Sequence, residues 1–144
     1  MQIEVQIKRL NSEVPMPSYA TDGSAGIDLV ASEAICLKKG AIAFVPTGLS
    51  VAFPKEYAAL LYARSGLASK HGITMANGVG VIDSDYRGEL KCPMINLGEA
   101  DYQIHKGDRI GQLIFTPVAH AHLTEVQVLD ETARGTGGFG STGR

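Results

Sequence analysis

The chain has 144 residues, 44% of them hydrophobic, with 13 basic and 15 acidic side chains and a formal net charge of -2. That length holds one domain, and the composition excludes both an intrinsically disordered chain and non-specific nucleic-acid binding, which needs surplus cations to displace counterions. Two cysteines without CxxC spacing, Cys36 and Cys92, argue against a disulfide scaffold or a zinc site and for a reducing compartment.

The N-terminal stretch alternates Ile3, Val5 and Ile7 with polar Gln2, Glu4, Gln6 and Lys8, which predicts a half-buried strand. It carries acid and so does not read as a signal peptide, and no apolar run approaches the roughly 20 residues of a membrane span. The expected location is the cytoplasm. Further strands are expected at 26–31, 34–37, 41–45, 49–53 and 58–63, then at 73–75, 79–82, 90–96, 110–116 and, with a break, 118–128. Glycine-bearing pairs such as Lys39-Gly40, Thr47-Gly48, Arg87-Gly88, Leu97-Gly98 and Lys106-Gly107 punctuate them with turn chemistry. One short helix is expected over 65–71, with Ser65 as its cap and Gly72 as its stop. Many short strands and one short helix predict an all-β fold, a distorted jelly-roll barrel or sandwich. Residues 1–132 are expected to form this domain. Residues 133–144, ARGTGGFGSTGR, hold one large apolar side chain and are expected to form a flexible Gly-rich arm.

Four segments carry candidate chemistry. Arg64, Ser65 and Gly66 put a guanidinium, a hydroxyl and a bare backbone where a strand enters a helix, a place suited to anions, although a plain surface cap has the same composition. The run NGVGVIDSDYRG, residues 77–88, combines Gly78 and Gly80, which let backbone approach a planar ligand, with Asp83 at the expected end of a buried strand. An ionised carboxylate there can orient or deprotonate water, and Tyr86 offers a flat ring to a sugar; a simple hairpin turn uses the same residues. Asp28, between Ile27 and Leu29, reads either as a solvent-facing strand residue or as a carboxylate acting on magnesium through water. Gln112 can donate to a phosphate oxygen, and Arg109 suits a structural ion pair as well as a ligand contact. The arm's arginine, glycines, aromatic ring and hydroxyls suit a phosphorylated nucleotide. His120 and His122 share a strand face but lack a third metal ligand.

Taken in order, GSAGIDL from Gly23, RSG at Arg64, NGVGVIDSDYRG from Asn77, GDRIGQ from Gly107 and RGTGGFGSTG from Arg134 resemble the five motifs of the trimeric dUTPase family. The one departure noted is Gly111, where the family commonly has alanine; a missing methyl is expected to loosen packing slightly. The resemblance implies an enzyme that hydrolyses dUTP to dUMP and pyrophosphate with Mg²⁺, as a homotrimer with shared sites. It also implies a role in supplying dUMP for thymidylate synthesis and in keeping uracil out of DNA.

By the same resemblance, uracil is read by main-chain groups of Gly80, Val81, Ile82 and Asp83, with Asn77 bracing the hairpin and Lys91 contacting the base through its backbone. Tyr86 lies under deoxyribose, and Asp83 holds the attacking water. Arg64, Ser65, Gly66 and Gln112 surround the α- and β-phosphates, and Asp28 steadies Mg²⁺ through water. Phe139 stacks on uracil, while Arg134, Gly140, Ser141 and Thr142 reach the γ-phosphate. Two rivals remain: a dCTP deaminase-like enzyme, which needs a glutamate at the ring and for which only Glu89 lies near, and an inactive nucleotide-binding regulatory trimer.

Overall fold

A computed structural model describes residues 2–140 and 143. Eleven strands and one helix follow in chain order: β1 Gln6–Arg9, β2 Ile27–Val30, β3 Ile35–Leu37, β4 Ile42–Pro46, β5 Leu49–Ala52, β6 Tyr57–Ala63, α1 Ser65–His71, β7 Ile73–Met75, β8 Gly80–Ile82, β9 Lys91–Asn96, β10 Tyr102–Ile104 and β11 Arg109–Pro117. All the pairings are antiparallel. The largest sheet has the order β2-β11-β6-β8 and faces a three-stranded sheet, β4-β9-β7, across a core of Leu29, Leu61, Met75, Met94, Ile110 and Leu113. Two-stranded pairs β1-β5 and β3-β10 flank them. The fold class is the jelly-roll-like all-β architecture the turn spacing predicts.

Burial of side chains from both sheets supplies the driving force, and the few polar groups inside are satisfied. Asn96, fully buried, donates to the carbonyls of Leu37 (3.0 Å) and Ala100 (2.8 Å) and accepts from the Gly98 N–H (2.9 Å). Thr47 donates to the Leu90 carbonyl at 2.7 Å. Cys92 is buried and Cys36 exposed; both are free thiols.

Four expectations need correction. The N-terminal alternation is real, yet only Gln6–Arg9 is paired, against β5, because residues 2–5 have no strand beside them among the described residues. Strand β10 was not expected: three residues between turn-rich segments give no usable period, and its pairing with β3 comes from tertiary placement. Residues 118–128 are not a strand. Val118 donates to the Glu56 carbonyl (2.9 Å), after which the segment runs clear of the body with Leu123, Val128 and Leu129 at least 80% exposed. The histidines His120 and His122 lie in it, exposed. Finally, Ser65 does not cap the helix: Arg64 occupies the cap position in extended conformation (φ -90°, ψ 130°) with no side-chain cap bond, and Ser65 is the first helical residue. The helix stops as expected at Gly72, whose φ of 68° favours glycine and whose missing Cβ leaves room for the Gly98 backbone.

Candidate active site

Strand β8 lies at an edge of the large sheet. One side pairs with β6, Gly80 opposite Leu61 and Ile82 opposite Ala59. Among the described residues no strand takes the other side, so its remaining main-chain donors and acceptors are open to a ligand. A cleft of about 330 Å³ lies against this strand, lined by Asn77, Gly80, Val81, Ile82, Asp83, Tyr86 and Lys91 together with neighbours from β4, β6 and β9. The hairpin before β8 closes through the Gly78 N–H to the Met75 carbonyl (3.1 Å) and the Val79 N–H to the Asn77 carbonyl (2.9 Å). Gly80 is buried with its backbone against Leu61, where a Cβ would stand 3.1 Å from the leucine Cβ.

Asp83 closes this strand, but not as the end of a buried one. Val81 is 67% exposed and Asp83 is itself exposed, because β8 has only one flank covered. Its carbonyl accepts the Tyr86 N–H (3.1 Å), while its carboxylate is free of hydrogen bonds among the described residues, and so available to water. Tyr86 is fixed by its own loop: the phenol donates to the Glu89 carbonyl at 3.0 Å. Its ring lies across Gly88, where a Cβ would come within 2.3 Å of the phenol oxygen.

The second group of predicted residues assembles elsewhere. Gln112 on β11 sits opposite Asp28 of β2 and Tyr62 of β6, and its amide donates to the Ala63 carbonyl at 3.2 Å. Asp28 lies between two guanidiniums, 3.6 Å from Arg64 Nε and 3.3 Å from Arg109 Nη1, and Arg64 also donates to the Arg109 carbonyl (3.4 Å). Ser65 and Gly66 are exposed, with open space where a Gly66 side chain would stand. Two cations around one carboxylate leave a net positive cluster suited to a polyphosphate. Among the described residues no group of three acidic, histidine or cysteine side chains is arranged to hold a metal ion. A divalent cation fits here only as a partner carried largely by an anionic ligand and water, with Asp28 the nearest carboxylate in this cluster.

These two groups do not meet within the chain. Asp28 and Asp83 belong to opposite edges of the β2-β11-β6-β8 sheet. Along β6, Ala59 faces Ile82, and Arg64 follows five positions later, which at a strand rise of about 3.4 Å per residue is about 17 Å. The arm is separate again. Arg134 takes part in a turn, its carbonyl accepting the Gly137 N–H (3.2 Å), and Phe139 is fully exposed with a φ of 49°. Gly140 ends the described stretch in left-handed conformation, while Ser141 and Thr142 lie outside the described residues.

Sequence reasoning missed Phe44, Leu61, Leu90 and Pro93 as cleft residues and weighed Glu89 only as the glutamate a deaminase would need. Phe44 and Pro93 come together only through the β4–β9 register, for which no local signal exists. Glu89 and Leu90 directly follow the long motif and were within reach of it. Gly111 also reverses its expectation: a Cβ there would meet Met75 Cε at 3.0 Å and the Tyr62 carbonyl oxygen at 3.2 Å, so the space is already filled by methionine.

The dUTPase family profile matches residues 12–143. The deoxyuridine 5'-triphosphate nucleotidohydrolase of Rickettsia prowazekii is 51% identical, the match covering 98% of this chain and 97% of that protein. The Zymomonas mobilis protein of the same name is 50% identical, with 99% of each chain covered. Among solved structures, the Staphylococcus bacteriophage 80alpha dUTPase with dUPNHPP superposes with a TM-score of 0.91 at 28% identity, covering 98% of this chain and 99% of that one. A dUTPase variant from phage phi11 of S. aureus, described as coordinating a structural Mg(II) ion, aligns with a TM-score of 0.81 at 26% identity, covering 89% of this chain and 99% of that one. On the profile match and the near-full-length identity, the chain belongs to the dUTPase family.

Proposed function

We propose that this protein is a dUTP diphosphatase, converting dUTP to dUMP and pyrophosphate in a homotrimer with composite active sites. The observation that carries the reading is the edge strand β8, with open main-chain groups, a cleft beside it and a free carboxylate at its end. Uracil pairs with the main chain of Gly80 to Asp83, within the hairpin braced by Asn77, and meets the Lys91 backbone across the cleft. A site built from fixed donors and acceptors rejects cytosine because the mismatch leaves groups unpaired, a penalty able to reach about 10⁴-fold or more. Tyr86, seated on Gly88, covers the sugar and excludes a 2′-hydroxyl.

Asp83 orients a water toward the α-phosphorus and receives its proton. The new bond is water oxygen to phosphorus, the bond broken is that from the α-phosphorus to the bridging oxygen, and pyrophosphate leaves. Arg64, Ser65, Gly66 and Gln112 donate to the α- and β-phosphates where charge develops. A bound Mg²⁺ would supply charge neutralisation on the triphosphate, with Asp28 holding its water ligands. Arg134, Gly140, Ser141 and Thr142 of the arm reach the γ-phosphate, and Phe139 stacks on the base as the arm, residues 133–144, closes.

The separation of Asp83 from Arg64 supports sharing of the site between copies. The segment after Pro117 supports it too: Leu123, Val126, Val128 and Leu129 are exposed on a stretch that leaves its own domain, as a segment made for a neighbour would be. Product dUMP would feed thymidylate synthesis, and removal of dUTP would keep uracil out of DNA. The exposed free thiol of Cys36 suits the cytoplasm.

The test is pyrophosphate release from dUTP, dCTP, dTTP and UTP, with and without Mg²⁺. Release from dUTP alone, stimulated by Mg²⁺, is expected. Ammonia from dCTP would establish the deaminase instead, and tight dUTP binding without turnover the inert trimer.

A further inference from the structure

We infer that Glu89 is a positioning residue that fixes the Tyr86 ring and thereby sets how strictly the cleft excludes a ribose; the inference rests on the deoxynucleotide reading of that cleft. The argument starts from what holds Tyr86. Its phenol donates to the Glu89 carbonyl, and its ring occupies the space left by Gly88, so residues 86–89 form a closed loop whose far end is residue 89. A ring tethered this way is only as fixed as the carbonyl that tethers it.

The Glu89 side chain gives residue 89 a second anchor to the domain, on the side that leads back to Gly88. Its Oε1 accepts the N–H of buried Gly48 at 2.9 Å, and its Oε2 lies 3.9 Å from Lys91 Nζ, the carboxylate being 23% exposed. Gly48 is an immovable partner. Its φ of 69° belongs to a tight turn, its Cα packs where a Cβ would meet Val14 Cγ2 at 2.5 Å, and its carbonyl accepts the Leu10 N–H at 2.8 Å. The next residue, Leu90, is held by backbone bonds to the same turn, donating to Leu49 (2.8 Å) and accepting from Thr47 (3.1 Å). Residue 89 is therefore the last point fixed to the rigid turn before the loop that carries Tyr86.

Removing the carboxylate leaves the Gly48 N–H without its acceptor and releases the Gly88–Glu89 peptide on which the ring is seated, while the Leu90 N–H bond to Leu49 still holds the Glu89 carbonyl. The same bond removes Glu89 from ring chemistry: a carboxylate committed to a buried N–H and a lysine is poorly placed to shuttle protons to a base. Glutamine keeps an oxygen acceptor at the same reach and loses only the charge, whereas alanine loses both.

The experiment measures kcat and KM for dUTP and UTP in the wild type, Glu89→Ala, Glu89→Gln, Tyr86→Phe and the Glu89→Ala/Tyr86→Phe double variant. Alongside, amide NMR of the nucleotide-free proteins follows the Gly48 N–H. Glu89→Ala is expected to raise the UTP-to-dUTP ratio of kcat/KM by about tenfold, the scale of one lost charge-assisted hydrogen bond, with the change mainly in KM. Glu89→Gln is expected to restore most of the discrimination, and the double variant to be no worse than the poorer single variant. The Gly48 amide shifts and loses exchange protection in Glu89→Ala but not in Glu89→Gln. A folded Glu89→Ala protein with wild-type discrimination overturns the inference, as does an unchanged Gly48 amide. If the wild type turns over neither nucleotide, the functional reading fails instead, and the Gly48 amide still reports on the clamp alone.

Discussion

Mixing two inactive variants tests the composite site directly. Asp83→Asn removes the carboxylate proposed to orient water, and Arg64→Ala the guanidinium proposed to bind phosphate; each alone is expected to be nearly inactive. Within one chain the two positions lie at opposite ends of β6, about 17 Å apart by strand rise. Arg64 is moreover drawn toward Asp28, at the sheet edge away from β8. No arginine side chain spans that distance while the strand stays paired. On the proposed composite site, each site takes Asp83 from one copy and Arg64 from another.

Co-refolding equal amounts of the two variants randomises the copies. A given site receives an intact Asp83 with probability one half and an intact Arg64, independently, with probability one half. About one quarter of wild-type activity should return, whatever the cyclic order of the assembly. The assay is pyrophosphate release at saturating dUTP, after denaturant removal, against each variant refolded alone. A mixture no more active than its components would mean that both groups serve the same site from a single chain, and the distance argument would be refuted.

Three further outcomes follow from the structure. Asp83→Asn alone should lower kcat by at least about 10²-fold with a smaller effect on KM, as expected for a lost proton acceptor; turnover near the wild type removes Asp83 from the chemistry. Truncation after residue 132 should leave the thermal unfolding midpoint nearly unchanged, because Arg134 and Phe139 contribute nothing to the core, yet abolish most activity; a fully active truncated protein refutes the closing arm. Burial pushes the Cys92 thiol up to about 12 from 9.0, so its stabilising contribution is complete below about pH 9 and is lost as pH rises toward about 12, the unfolded chain ionising first. Near pH 10.5 the loss is on the order of 2 kcal/mol. Urea unfolding of wild type and Cys92→Ala at about pH 8 and about pH 10.5 checks this, and a stability difference that stays constant between the two refutes it.

Much of the site was legible because its chemistry is local in sequence. The run from Asn77 to Gly88 supplies the hairpin, the edge strand, the carboxylate and the ring seat within a dozen residues, and short-range turn chemistry dictates its shape. The cleft's opposite wall was not legible. Phe44 and Pro93 are far apart in the chain and meet only through the β4–β9 register. Arg109 joined Arg64 around Asp28 only once β11 paired with β2.

By itself, the sequence determined the all-β class, most strand positions, the helix stop at Gly72 and the membership carried by five ordered motifs, since periodicity, turn residues and motif spacing are properties of neighbours along the chain. Tertiary structure alone decided that β8 is an edge strand, that the carboxylate after it and the arginine cluster lie at opposite edges of one sheet, and that residues 118–128 leave the domain without forming a strand. Each of these depends on which strands lie side by side, and strand order is set by burial across the two sheets, which no local stretch of residues encodes.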